Sequence, residues 1–151
     1  MKEFKTIEDI LDFAIGEEQA AVDFYLMLAG QSKSRQSKEV FTDFAEEEMR
    51  HKVNLIKVKE NGSFQLSETK IKDLKITEYL VDIKPSPDMT YQDALILAMK
   101  KEKAAYRMYT ELAEAAPDSR TGSIFLSLAQ EEAKHKLRFE VEYDDYILRE
   151  N

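Results

Sequence analysis

This chain predicts an all-α bundle of four long helices paired as two antiparallel hairpins, and three observations lead there. Glu, Lys, Leu and Ala dominate a chain that is 34% charged, while four glycines and three prolines interrupt 151 residues. That composition favours helix. Apolar residues recur in alternating steps of three and four, the spacing of one helix face. The chain also repeats itself at an offset of 84 residues. Leu11, Ala14, Glu18, Ala21, Tyr25 and Leu28 return as Leu95, Ala98, Glu102, Ala105, Tyr109 and Leu112, and Phe41, Ala45, Glu47, Glu48 and His51 return as Phe125, Ala129, Glu131, Glu132 and His135. The repeat reads as a duplicated helical hairpin.

The first helix is expected from about Thr6, with Asp9 three residues on as a capping partner, to a stop at Gly30. A short polar link leads to the second, which runs to about Asn61 and ends at Gly62. The third opens at Thr90 with Asp93 in the capping position and closes before Ala116-Pro117-Asp118. The fourth runs from about Ser119 nearly to the C-terminus. Short links imply antiparallel pairs, giving hairpins over 6–61 and 90–149 within a single domain, 1–151. The segment 62–89 is long enough to cross the bundle, which sets the second and third helices parallel. Within it, Ile76 to Ile83 is apolar enough to pack on the bundle, before Pro85 and Pro87 end regular structure.

Several functions are excluded or disfavoured. There is no cysteine, hence no disulfide, thiolate nucleophile or iron–sulfur cluster built from this chain. A net charge of −8 argues against nucleic acid. The longest apolar run, Ala94 to Met99, is too short to span a membrane. With no basic segment and apolar h-region at the N-terminus, the expectation is a cytoplasmic protein.

The repeat carries chemistry. The only two histidines both stand in Glu-x-x-His pairs, Glu48/His51 and Glu132/His135. The inward register of the second helix reads Phe41, Phe44, Glu48, His51, Leu55, and that of the fourth reads Phe125, Leu128, Glu132, His135, Phe139. Glu18 and Glu102 interrupt apolar seams on the other two helices. Four carboxylates gathered in a core cannot all ionise unaided, because burial and mutual repulsion raise their pKa values. Two divalent cations would balance four carboxylates, and two imidazoles would complete the sites. Lys101 stands where the repeat would call for a partner to Glu17, so Glu18 is the ligand with a counterpart. Glu47 and Glu131 read as groups that orient the ligands or as surface charges.

These residues resemble the ferritin-like diiron carboxylate proteins, most closely the rubrerythrin-type group. The run Glu18 to Tyr25 looks like that group's first helix, and two hairpins joined by one long crossover is the ferritin-like arrangement. The resemblance implies Glu18 and Glu102 as terminal ligands, Glu48 and Glu132 as bridges, and one imidazole, His51 or His135, for each iron. Two iron ions are the expected cofactor, with manganese possible. Met49 follows Glu48 where bacterioferritins place a haem ligand, but it reads as packing and no haem is expected. The implied function is oxidation of Fe(II), or use of an external reductant, to reduce O2 or H2O2; iron storage is the alternative. Full rubrerythrins add an iron–tetracysteine domain and a further glutamate, for which this chain has no cysteine and Ala105. The six-ligand set is closer to the bacterioferritin ferroxidase centre.

Tyr25 and Tyr109, two turns from Glu18 and Glu102, are candidates to act beside the metals, each donating its hydroxyl to a bridging carboxylate. Ala21, Ala45, Ala105 and Ala129 let the helices approach there. Phe24, Tyr106, Tyr143 and Tyr146 suit a homodimer face or the core. O2 or H2O2 and an unidentified electron donor are the expected partners.

Overall fold

The structure is a computed structural model that describes residues 4–62, 64–74, 81, 83–86, 88–116 and 119–150. Among the described residues five helices follow in order: α1 (Ile7–Gln31), α2 (Arg35–Asn61), α3 (Glu68–Asp73), α4 (Tyr91–Ala115) and α5 (Arg120–Glu150). The four long ones are the expected helices, and α3 is a short addition in the crossover.

The caps show why the helices begin where they do. Thr6 accepts from the Asp9 amide while Asp9 receives the Thr6 amide, a complete capping box. Thr90 accepts from the Asp93 amide. Gly62 closes α2 in the left-handed region at φ 65°, a conformation that glycine reaches without steric cost. Gly30 does not stop α1. The helix runs through it to Gln31, and extended Ser32 ends it, its amide bonding back to Leu28 and Ala29.

Cross-helix contacts set the directions. Lys52 reaches Gln19 and Lys59 reaches Asp12, so α2 runs antiparallel to α1. Tyr91 reaches Glu142 while Tyr109 packs on Phe125, so α5 runs antiparallel to α4. His51 meets Glu131 and His135 meets Glu47, which sets α2 against α5. It follows that α2 and α4 are parallel, as the long crossover requires. The bundle is all-α and ferritin-like.

The core comes in two apolar blocks. One gathers Ile7, Leu11, Leu55, Leu112, Phe125 and Leu128 with residues of the crossover. The other gathers Tyr25, Leu28, Phe41, Leu95, Leu97 and Phe139. The crossover seals the first block earlier in the chain than its apolar run suggests. Phe64 meets Phe125 edge-on at 5.0 Å, and Ile71 is 6% exposed. Of the expected packing segment 76–83, residues 76–80 and 82 lie outside the described residues. Val81 packs on the second block, whereas Ile83 is half exposed. Phe24 belongs to the core, and Tyr106 is 42% exposed.

Candidate metal centre

Between the two apolar blocks lies a charged layer. Glu18 of α1, Glu48 and His51 of α2, Glu102 of α4, and Glu132 and His135 of α5 are each at most 2% exposed. All six residues expected from the sequence therefore point inward at one level. They form two overlapping groups: Glu18, Glu48, His51 and Glu132, then Glu48, Glu102, Glu132 and His135, each with its donor atoms within 4.8 Å of one another. Glu48 and Glu132 belong to both.

The histidines show which ring nitrogen faces the cluster. His51 Nδ1 lies 3.1 Å from Glu132, 3.5 Å from Glu48 and 3.6 Å from Glu18. His135 Nδ1 lies 3.0 Å from Glu48, 3.7 Å from Glu102 and 3.8 Å from Glu132. On the far side of each ring, Nε2–H donates to a carboxylate of the opposing helix, Glu131 for His51 and Glu47 for His135. A proton held on Nε2 leaves the Nδ1 lone pair free for a cation, a common arrangement for metal-binding histidine. The half-exposed pair that the spacing left undecided is thereby assigned: Glu47 and Glu131 orient the histidines.

Without a cation the layer is electrostatically unsatisfied. One oxygen on each of Glu18, Glu48, Glu102 and Glu132, and Nδ1 on both histidines, is buried without a hydrogen-bond partner. Groups left in that state cost free energy unless something else binds them. Burial, then the Glu132 and Glu18 charges, pushes the Glu48 carboxyl well up. Burial and the same two charges raise Glu102. For His51 burial acts downward, but Glu132 and Glu18 outweigh it and push the imidazole up to about 11. For Glu132 burial acts upward, yet the close approach of His51 and Glu48 and the two imidazole charges hold it at about 2. Protons thus occupy the role that cations would take. The donor set, carboxylate and imidazole without sulfur, fits hard to borderline divalent metals.

Tyr109 donates its hydroxyl to Glu18 Oε1 across the bundle. The acceptor is a glutamate of one group only, and not the shared carboxylate expected. The lateral reach from α4 to α1 decides this, and spacing along α4 does not encode it. Burial and the nearby carboxylates push the phenol well above its ordinary value, so it stays a donor. Tyr25, 1% exposed, sets its ring edge-on to His135 at 6.4 Å.

A cavity of about 30 Å³ opens beside the layer, lined by Glu17, Ala21, Tyr25, Lys101, Ala105 and Tyr109 together with four of the acidic ligand candidates. The two alanines leave this space as well as easing helix approach. Glu17 and Lys101 were not assigned a role from sequence, although they mark a break in the repeat. Burial raises the Glu17 carboxyl, Lys101 opposes the rise and Glu18 adds to it. Met49 is 39% exposed on the flank of α2.

The family model for rubrerythrin matches residues 9–143. The chain belongs to the rubrerythrin family. No curated protein and no solved structure gives a match. Membership in this ferritin-like diiron family agrees with the buried carboxylate and histidine cluster. Among the described residues, no helix is long and apolar enough to cross a membrane.

Proposed function

We propose that the protein is a diiron-carboxylate oxidoreductase that reduces O2 or H2O2, drawing electrons from Fe(II) or an external donor. The observation that carries this reading is the pair of overlapping donor groups that share Glu48 and Glu132. Two cations held by common carboxylates can act on one substrate together. Glu18, Glu48, Glu132 and His51 would hold one ion, and Glu102, Glu48, Glu132 and His135 the other. When bound, iron supplies the electron transfer, which no side chain in the layer performs.

The chain's own groups do the rest. Glu131 and Glu47 fix the imidazole orientation, so that Nδ1 faces the cluster. Tyr109 holds Glu18 in place and keeps a proton at the edge of the cavity. The cavity sets substrate size. Each water-sized molecule needs roughly 10–15 Å³ of such space, so about 30 Å³ admits a dioxygen or peroxide and rejects an organic substrate.

Metal analysis of the purified protein, with an electronic spectrum after oxidation, tests the reading. Two irons per chain and an oxo-bridged diferric band are expected, with O2 or H2O2 consumed through many cycles when a reductant is present. Iron taken up and oxidised once, with no further consumption, would mark a store. A chain that binds no metal after loading sinks the proposal.

A further inference from the structure

The two halves match ligand for ligand but not ring for ring. Phe44, Phe139 and Tyr91 have Leu128, Leu55 and Ile7 at the equivalent positions of the repeat. The apolar block beside His135 therefore carries aromatic rings at three places where the other block is aliphatic. Phe44 stacks on His135 with ring centroids 4.1 Å apart. Phe41 lies 6.4 Å from Phe44, and Tyr91 lies 6.4 Å from Phe41. Tyr146 continues the row, 5.3 Å from Tyr91.

The outer end of the row holds a second asymmetry. Tyr91 donates its hydroxyl to Glu142 Oε1 at 3.0 Å, and Ser37 donates to the same oxygen at 2.8 Å. The equivalents of Tyr91, Glu142 and Ser37 are Ile7, Val58 and Thr121. Glu142 is 4% exposed with Arg138 3.9 Å from its other oxygen, and burying a carboxylate is costly even when it is paired. The fold does not demand that cost, because valine fills the matching place. Glu142 also forms part of the wall of an open surface cleft of about 350 Å³, so a proton it takes up can reach solvent. A phenol bonded to a carboxylate can lose its proton as it loses an electron, which avoids the unfavourable charged phenol radical.

We propose that Tyr91 is a redox-active tyrosine that passes electrons to the metal pair through Phe41, Phe44 and His135, with Glu142 as its proton acceptor. This rests on the diiron reading above. In the step, a further H2O2 has taken two electrons from the diferric pair and left as water, and Tyr91 returns one electron to that pair. The phenol O–H bond breaks, and its proton bonds to Glu142 Oε1. The tyrosyl then takes one electron from a soluble one-electron reductant at the bundle's end, and the proton returns from Glu142. The chain has no cysteine with which to bind an iron–sulfur relay of its own, and the aromatic row supplies a route in its place.

The test loads the full chain anaerobically with Fe(II) and mixes it with several equivalents of H2O2 per metal pair, more than the diferric state consumes. The diferric absorbance is followed while samples are frozen for EPR, and ascorbate serves as the reductant. Wild-type protein is expected to show a tyrosyl signal that ascorbate removes. Tyr91→Phe, which keeps the ring, should form the diferric band and lose the signal. Glu142→Gln should lose most of it with Tyr91 in place. Phe44→Leu, which copies the equivalent Leu128, retains both tyrosine and ligands and should cut the signal several-fold; it serves if the other variants fold poorly. A tyrosyl signal undiminished in Tyr91→Phe, or absent from wild type that forms the band, overturns the relay and leaves the diiron reading standing. Wild type that binds iron but never forms the band overturns the diiron reading, and the relay with it.

Discussion

Glu48 and Glu132 each serve two donor groups, whereas Glu18, His51, Glu102 and His135 serve one. Removal of a shared carboxylate should therefore differ in kind from removal of an unshared one. Glu48→Ala is expected to bring metal content from two ions per chain to near none, while Glu18→Ala retains about one. Metal stoichiometry after gel filtration reads the difference, and equal losses would count against shared bridges. The orienting carboxylates act more gently. Glu131→Gln leaves Nδ1 of His51 in place but weakens the acceptor at Nε2, and a roughly 10–100-fold loss of affinity at one site is expected, measured by competition with a chelator. These roles were unequally visible beforehand. The six candidate ligands are legible in the sequence because each interrupts an apolar seam and recurs in the repeat. Glu47 and Glu131 could not be assigned, because their partners lie on the opposing helix, and distance along one chain says nothing of that. The Tyr109 acceptor was misread for the same reason.

At the level of elements, caps and breakers were legible wherever a local hydrogen bond or backbone angle fixed them, as with Thr6, Thr90 and Gly62. Gly30 misled because glycine weakens a helix without ending it, by about 1 kcal/mol relative to alanine. The seal formed by Phe64 and Ile71 is not legible in the sequence, because the stronger apolar run of the crossover lies further along, at Ile76 to Ile83. Two glycines offer opposed predictions. A Cβ on Gly122 would sit 2.1 Å from the Ala116 carbonyl oxygen, a backbone atom at the α4–α5 turn, where Ser119 Oγ also bonds Ala116 O and the Gly122 amide. Gly122→Ala should destabilise by about 1–3 kcal/mol. A Cβ on Gly16, within α1, meets nothing within 4 Å, so Gly16→Ala should stabilise by about 0.5–1 kcal/mol. Urea unfolding of the metal-free protein measures both, and the same sign for the two would refute the packing account.

Across the whole molecule, the charged layer divides the core in two, so bundle stability depends on what neutralises that layer. In metal-free protein, protons do. His51 rises from 6.5 to about 11 on folding. A raised imidazole favours the folded state fully below pH 6.5, and that contribution disappears as pH climbs towards 11. Glu48 and Glu102, also raised, add to the loss as pH rises above the ordinary carboxylate range. Glu132, held at about 2, acts oppositely: its contribution is complete above 4.5 and vanishes as pH falls towards 2. Above pH 6.5 the His51 effect has no opponent among these shifts. Metal-free melting temperature should therefore fall steadily from pH 6.5 upward. Cations displace the same protons, so binding should release protons and tighten as pH rises. Metal in hundredfold excess over its dissociation constant adds about 2.7 kcal/mol, and the alkaline decline should flatten in loaded protein. Parallel thermal scans of metal-free and Mn(II)-loaded protein between pH 6.5 and 9.5, with oxygen excluded, make the comparison under conditions where no redox step intervenes. Curves that decline together, keeping a constant gap, would mean that the protons lost on alkaline titration are not those the metal replaces.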